Sequence, residues 1–98
     1  MKSSSNKFKV FVTPNFLKEA QDLKKKYPKI KENFLQLKDS LSRDPITGND
    51  NLGKDCYKVR MSIADKNSGQ SSGARLIIEV KIIDKEVYVL SVYDKSYK

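Results

Sequence analysis

The sequence predicts a two-layer α+β domain: one strand, two helices, then an antiparallel three-strand meander, with both helices packed on one face of the sheet. Three observations point there. Two amphipathic stripes of helical period follow one another in the N-terminal half. The C-terminal half is rich in β-branched residues and alternates with a period of two. A loop rich in Pro, Gly, Asn and Asp separates the two regimes. The length, 98 residues, fits one domain and not two.

Residues 1–6 (MKSSSN) are polar and read as disordered. Phe8 to Val12 is a short β-rich run, the first strand. Thr13-Pro14 stops it and opens a helix, because Thr is a good N-cap and Pro is favoured at the first helical position. Phe16, Ala20, Leu23 and Tyr27 then recur at spacings of one helix face, and Pro28 ends that helix. Ile30, Phe34, Leu37 and Leu41 repeat the spacing in a second helix. Arg43 to Lys54 reads as a loop. Cys56 to Ile63 alternates Tyr57, Val59, Met61 and Ile63 with Lys58, Arg60 and Ser62, a half-buried strand with a basic outer face. Residues 64–72 form a polar hairpin loop, Gly73 to Ile83 a long strand, Asp84-Lys85 a tight turn, and Glu86 to Tyr93 the last strand. The first strand joins the meander at an edge or in its centre.

Composition excludes several functions. There is no His and one cysteine, Cys56. An internal disulfide, a Cys/His zinc site and His-dependent nucleophilic catalysis are therefore ruled out. Cys56 reads as a small buried filler. The four glycines do not form a phosphate-cradling loop of Walker or Rossmann type. No acidic cluster has metal-ligand spacing, so neither metal nor cofactor is expected. The N-terminus has no apolar signal stretch and no run reaches a membrane span of ~20 residues. A soluble cytoplasmic protein is expected.

The formal charge is +8, and it is uneven: residues 1–43 hold 11 Lys/Arg against 4 Asp/Glu, residues 44–98 hold 9 against 8. Such a chain attracts polyanions: nucleic acid, an acidic protein or an anionic membrane surface. Lys58 and Arg60 share one face of their strand, roughly 7 Å apart. Arg75 lies on the strand that pairs with theirs, and Tyr93 and Lys95 share a side at the end of the last strand. The combination gives a concave cationic face with an aromatic. Cations of this kind bind a scissile phosphate and stabilise its transition state, and a ring stacks on an unpaired base. Two cations on the polar side of a strand are, by themselves, ordinary solvated residues.

Five segments in order carry a resemblance: Phe16-Leu-Lys-Glu-Ala with Leu23-Lys-Lys-Lys-Tyr-Pro28, Asp44-Pro45 with Gly48, Cys56-Tyr-Lys-Val-Arg60, Ser68-Gly-Gln-Ser-Ser-Gly-Ala-Arg75-Leu-Ile, and Val87-Tyr-Val-Leu-Ser-Val-Tyr-Asp-Lys95. Together they resemble the RelE/ParE toxin superfamily, especially its RelE- and HigB-like RNA-cleaving branch, from about Phe8 to Lys95. The resemblance implies the fold predicted above. It also implies a bacterial type II toxin that cleaves mRNA in the ribosomal decoding site without metal, arrests translation, and is held by a cognate acidic antitoxin. It implies Lys58, Arg60 and Arg75 as phosphate-binding and charge-stabilising residues, with Tyr93 and Lys95 in the C-terminal catalytic motif. Lys58 or a nearby Lys would accept the proton, and Lys95 or Tyr97 would assist the leaving group. Lys24, Lys25, Lys26, Lys54 and Lys81 are assigned as RNA contacts, ribosomal RNA included. Where related chains carry Gly-Lys-Ser-Gly-Gly, this one has Gly69-Gln-Ser-Ser-Gly73, one cation fewer. The alternatives are a ParE-like poison of DNA gyrase and a catalytically degenerate nucleic-acid- or antitoxin-binding module.

Overall fold

The computed structural model describes residues 7–63 and 73–94. The readings of residues 1–6 as disordered and of 64–72 as a hairpin loop lie outside the described residues. The chain runs β1 (Lys9–Val12), α1 (Pro14–Lys24), α2 (Ile30–Arg43), β2 (Asp50–Gly53), β3 (Cys56–Met61), β4 (Ala74–Lys81) and β5 (Glu86–Asp94). The strands form one sheet in the order β1-β5-β4-β3-β2. β1 lies at an edge and runs parallel to β5, whereas every other pair is antiparallel.

Both helical stripes are inward. Phe16, Tyr27, Ile30 and Leu41 are buried, and Ala20, Leu23, Phe34 and Leu37 pack against them. They meet the sheet face made by Val59, Met61, Leu76, Ile78, Val80, Val87, Val89 and Val92. Full burial of one such side chain contributes about 1.5–3 kcal/mol, so this single layer contact organises the fold. Thr13 caps α1 as expected, its hydroxyl accepting from Phe16 N with Pro14 following. At the break, Tyr27 N still donates to Leu23 O, and Ile30 N to Tyr27 O, so Pro28 turns the chain within one residue pair.

The loop expected from Arg43 to Lys54 contains a strand. β2 is exposed along its whole length and pairs with β3 through a two-residue turn, Lys54-Asp55. Both turn residues have positive φ, 54° and 66°, the geometry that matches the twist of a tight hairpin. β4 ends at Lys81 rather than Ile83: Ile82 to Lys85 form the turn, closed by Lys85 N donating to Ile82 O. β5 runs one residue further than expected, to Asp94.

β5 outlasts its parallel neighbour. β1 ends at Val12, opposite Val89, and α1 takes over that side of β5. The Thr13 hydroxyl donates to Val89 O (2.8 Å) and the Asn15 amide to Leu90 O (2.9 Å). Glu19 Oε1 accepts from Ser91 Oγ (2.7 Å) and Val92 N (3.1 Å). These side chains satisfy strand groups at a place where the β4–β5 register also shifts, between Ile77 and Ile78. The helix therefore stands in for a missing strand.

Candidate active site on the open sheet face

The register decides which cations meet. Arg60 is the direct partner of Arg75, and Arg75 of Tyr93. Directly paired residues point to one face, so Arg60, Arg75 and Tyr93 form a row across three strands, roughly 10 Å from end to end. Their neighbours along the strands, Val59, Met61, Leu76, Ala74 and Val92, are buried beneath the helices. The row therefore lies on the face away from α1 and α2. Lys58 belongs to the next row, opposite Ile77, and its ammonium stands 4.0 Å from the carboxylate of Asp50 on β2.

The three members of the row differ in exposure. Arg60 is exposed and has no ion-pair partner among the described residues; β3 has run past β2 there, and at that edge Arg60 also lines a shallow groove with Asn33, Gln36 and Ser40 of α2. Tyr93 is 42% exposed. Arg75 is 4% exposed, where an open position was expected. Its Nη1 donates to Ala74 O at 3.2 Å, so the guanidinium folds back on its own strand. A buried, hydrogen-bonded arginine is a fixed charge at the centre of the row, flanked by an exposed arginine and an exposed phenol. One fixed and one exposed cation beside a ring suit a phosphodiester carrying an adjacent base.

The remaining assignments scatter. Lys26 sits at the same end of the sheet, 3.6 Å from Asp94, which neighbours Tyr93. Its pKa is raised, first by its hydrogen bond and charge interaction with Tyr27 and then by Asp94. Lys24 instead lines the cleft between α1 and α2. Lys24 ends α1 and Lys25 and Lys26 lie in the turn that follows, so Lys24 and Lys26 face different surroundings. Lys54, in the β2–β3 turn, and Lys81 lie at the far end of the sheet. Lys81 is six residues from Arg75 along β4, roughly 20 Å, and pairs with Glu79 at 3.6 Å. Lys95 and Tyr97 lie outside the described residues. Cys56 is half-buried and free, and among the described residues no three His, Cys, Asp or Glu side chains gather as metal ligands.

Two features had no signal in the sequence. Asp94 is a buried carboxylate, 6% exposed, that accepts from the Tyr27 hydroxyl at 2.8 Å across 67 residues of chain. Asp50 faces Lys58 only because β2 exists. A cleft of about 460 Å³ lies elsewhere. It opens between the two helices over Phe16, Phe34 and Met61, in the layer opposite the row.

The sequence matches no family model and no curated protein sequence. Solved structures do match. A RelBE2 toxin–antitoxin complex from Mycobacterium tuberculosis superposes with a TM-score of 0.71 at 17% identity, covering 93% of this chain and 94% of that one. The intact Escherichia coli RelBE complex gives 0.67 at 25% identity, covering 93% and 99%. A double arginine-to-alanine mutant of E. coli RelE in the free state gives 0.66 at 25% identity, covering 92% and 85%. The chain has the RelE toxin fold. The five-stranded sheet, the helix pair on one face and the row of Arg60, Arg75 and Tyr93 on the other are thus set in a RelE-like frame that spans nearly all of the chain. No helix among the described residues is long and apolar enough to cross a membrane.

Proposed function

We propose that this chain is the toxin of a type II toxin–antitoxin pair and that it cleaves mRNA on the ribosome. The observation that carries the reading is the row Arg60–Arg75–Tyr93 on the open face of a RelE-like sheet. Arg60, exposed, holds the scissile phosphate, and Arg75, fixed by burial behind it, adds a positive charge to the field that stabilises the charge growing on it. The RNA 2′-hydroxyl supplies the nucleophile: the new bond joins O2′ to phosphorus, the bond to O5′ breaks, and the products are a 2′,3′-cyclic phosphate and a 5′-hydroxyl. One proton leaves O2′ and one reaches O5′. Lys58, its side chain 36% exposed beside Asp50, takes the first proton as the neutral amine, and the Lys95 ammonium gives the second. Tyr93 offers a ring to the neighbouring base.

The partner on this reading is an acidic antitoxin. Its segment lies on a protein of charge +8, and two of the similar structures are toxin–antitoxin complexes. The test is induced expression in a bacterial host with growth, translation and mRNA 5′ ends followed together. Burial makes Arg75→Ala a poor first variant, because it removes a buried, packed side chain as well as a charge. Arg60→Ala is cleaner: Arg60 is exposed and its loss should reduce cleavage by roughly 10²–10³-fold with the fold intact. Arrest with new mRNA ends that vanish in Arg60→Ala supports the reading. Arrest without mRNA ends points to DNA gyrase instead, and no arrest overturns a toxin activity.

A further inference from the structure

We propose that Tyr27 and Asp94 are positioning residues: their buried hydrogen bond clamps the end of α1 to the last rung of β5 and holds the Arg75–Tyr93 rung in register. The inference rests on the ribonuclease reading above and names what keeps that site assembled.

The need for a clamp follows from topology. From Leu90 to Asp94, β5 has a strand neighbour on one side only among the described residues, because β1 stops opposite Val89. A strand end held on one side frays, and the last rungs fray first. Tyr93 and Asp94 are those rungs, paired with Arg75 and Ala74. A slip of one residue there would turn Tyr93 from the open face to the helix face.

α1 supplies the missing side in ascending steps. Thr13 reaches Val89, Asn15 reaches Leu90, Glu19 reaches Ser91 and Val92. Tyr27 reaches Asp94 at 2.8 Å and completes the series beyond the end of the helix. The last step differs from the others in burial: Tyr27 is 7% and Asp94 6% exposed. A carboxylate placed there without partners is costly, so the contact specifies one position for the strand end. Lys26, 63% exposed at its side chain and 3.6 Å from the same carboxylate, adds little to that specification. Asp94 faces the helix layer and Tyr93 the open face. The clamp therefore acts on the site from behind, without touching the phosphate.

Misplacing a catalytic rung by about 1 Å lowers turnover by on the order of 10²-fold, while exposed Arg60 still binds RNA. Asp94→Ala and Tyr27→Phe should therefore lower kcat for ribosome-dependent mRNA cleavage by roughly 10–100-fold and leave KM within about threefold. Asp94→Asn keeps an oxygen that accepts from Tyr27 and should restore most of kcat. Amide hydrogen exchange, which needs no activity, should quicken at residues 90–94 and not at 87–89 in Tyr27→Phe. If Asp94→Ala fails to fold, Tyr27→Phe decides, since it deletes one oxygen atom. Wild-type kcat and exchange in Tyr27→Phe, or equal losses in Asp94→Asn and Asp94→Ala, would overturn the clamp alone. A wild type that leaves mRNA intact would overturn the ribonuclease reading and the positioning role with it.

Discussion

Gly73→Ala is the smallest change that should damage the site. Gly73 precedes β4, and a Cβ built on it falls 2.3 Å from the carbonyl oxygen of Met61 and 3.2 Å from the carbonyl carbon. Side-chain carbons essentially never approach another atom closer than 3.0 Å, so one of two backbones must move by most of an ångström. Neither is a flexible side chain. Met61 pairs with Ala74 in the rung beside Arg60 and Arg75, so the movement enters the proposed site directly. Overpacking of this kind costs about 1–3 kcal/mol. In a domain of this size each kcal/mol is worth about 4–8 °C, which sets a melting-point loss of roughly 5–20 °C. Thermal unfolding of the purified variant followed by circular dichroism measures it, and mRNA cleavage at a temperature where the variant is folded measures the displacement of the row. Gly48→Ala is the comparison. Its φ is +84° but nothing lies within 4 Å, so only the torsional cost of about 1 kcal/mol applies and cleavage should persist. A Gly73→Ala protein that melts within about 2 °C of wild type and cleaves normally would refute the reasoning, because the β3–β4 edge would then yield without cost.

Three further outcomes follow from the same contacts. Thr13→Ala deletes both the cap to Phe16 N and the bond to Val89 O; it should lower unfolding free energy by about 1–2 kcal/mol in urea titrations, while Thr13→Ser should be nearly neutral. Asp44 has its pKa lowered below 3.8 by hydrogen bonds from Thr47 first and from Ile46. Its contribution to stability is therefore present above 3.8 and is lost as pH falls through the lower folded value; carbon NMR of the carboxyl should show the depressed titration, and Thr47→Ala should raise it. Tyr88 donates to Glu86, which holds its pKa above 10.0, with burial adding to the effect. That contribution is present below 10.0 and disappears as pH rises through the raised value; ultraviolet titration should find this phenol ionising late, and Glu86→Gln should bring it earlier.

The layers were legible because they rest on local periodicity. The stripes from Phe16 to Tyr27 and from Ile30 to Leu41 face the core as their spacing requires, and Thr13-Pro14 opens the first helix where a cap and a proline coincide. β2 left no such trace. Asp50-Asn-Leu-Gly53 has no alternation because no face of it is buried. It exists through a turn, Lys54-Asp55, that places two non-glycine residues at positive φ. Such a turn has no Asn-Gly or Asp-Gly marker in the sequence.

The site was legible by face but not by rung. Alternation puts Lys58 and Arg60 on one side of β3, yet only the register decides that Arg60, and not Lys58, meets Arg75. The burial of Arg75 is a tertiary outcome, and it reverses the role the open-face reading gave it: it is a fixed charge, with Arg60 as the exposed one. The basic run at Lys24 to Lys26 looks like one feature in the sequence, but α1 ends within it, leaving Lys24 on the inter-helix cleft and Lys26, in the turn beyond, beside Asp94. Asp94 shows the limit most clearly. In the sequence it is one polar residue closing an apolar run, and nothing within a helical turn or a strand pair distinguishes it. Its meaning depends on Tyr27 reaching it across the length of the fold, and that contact exists because β5 runs past its neighbour and needs a helix at its side.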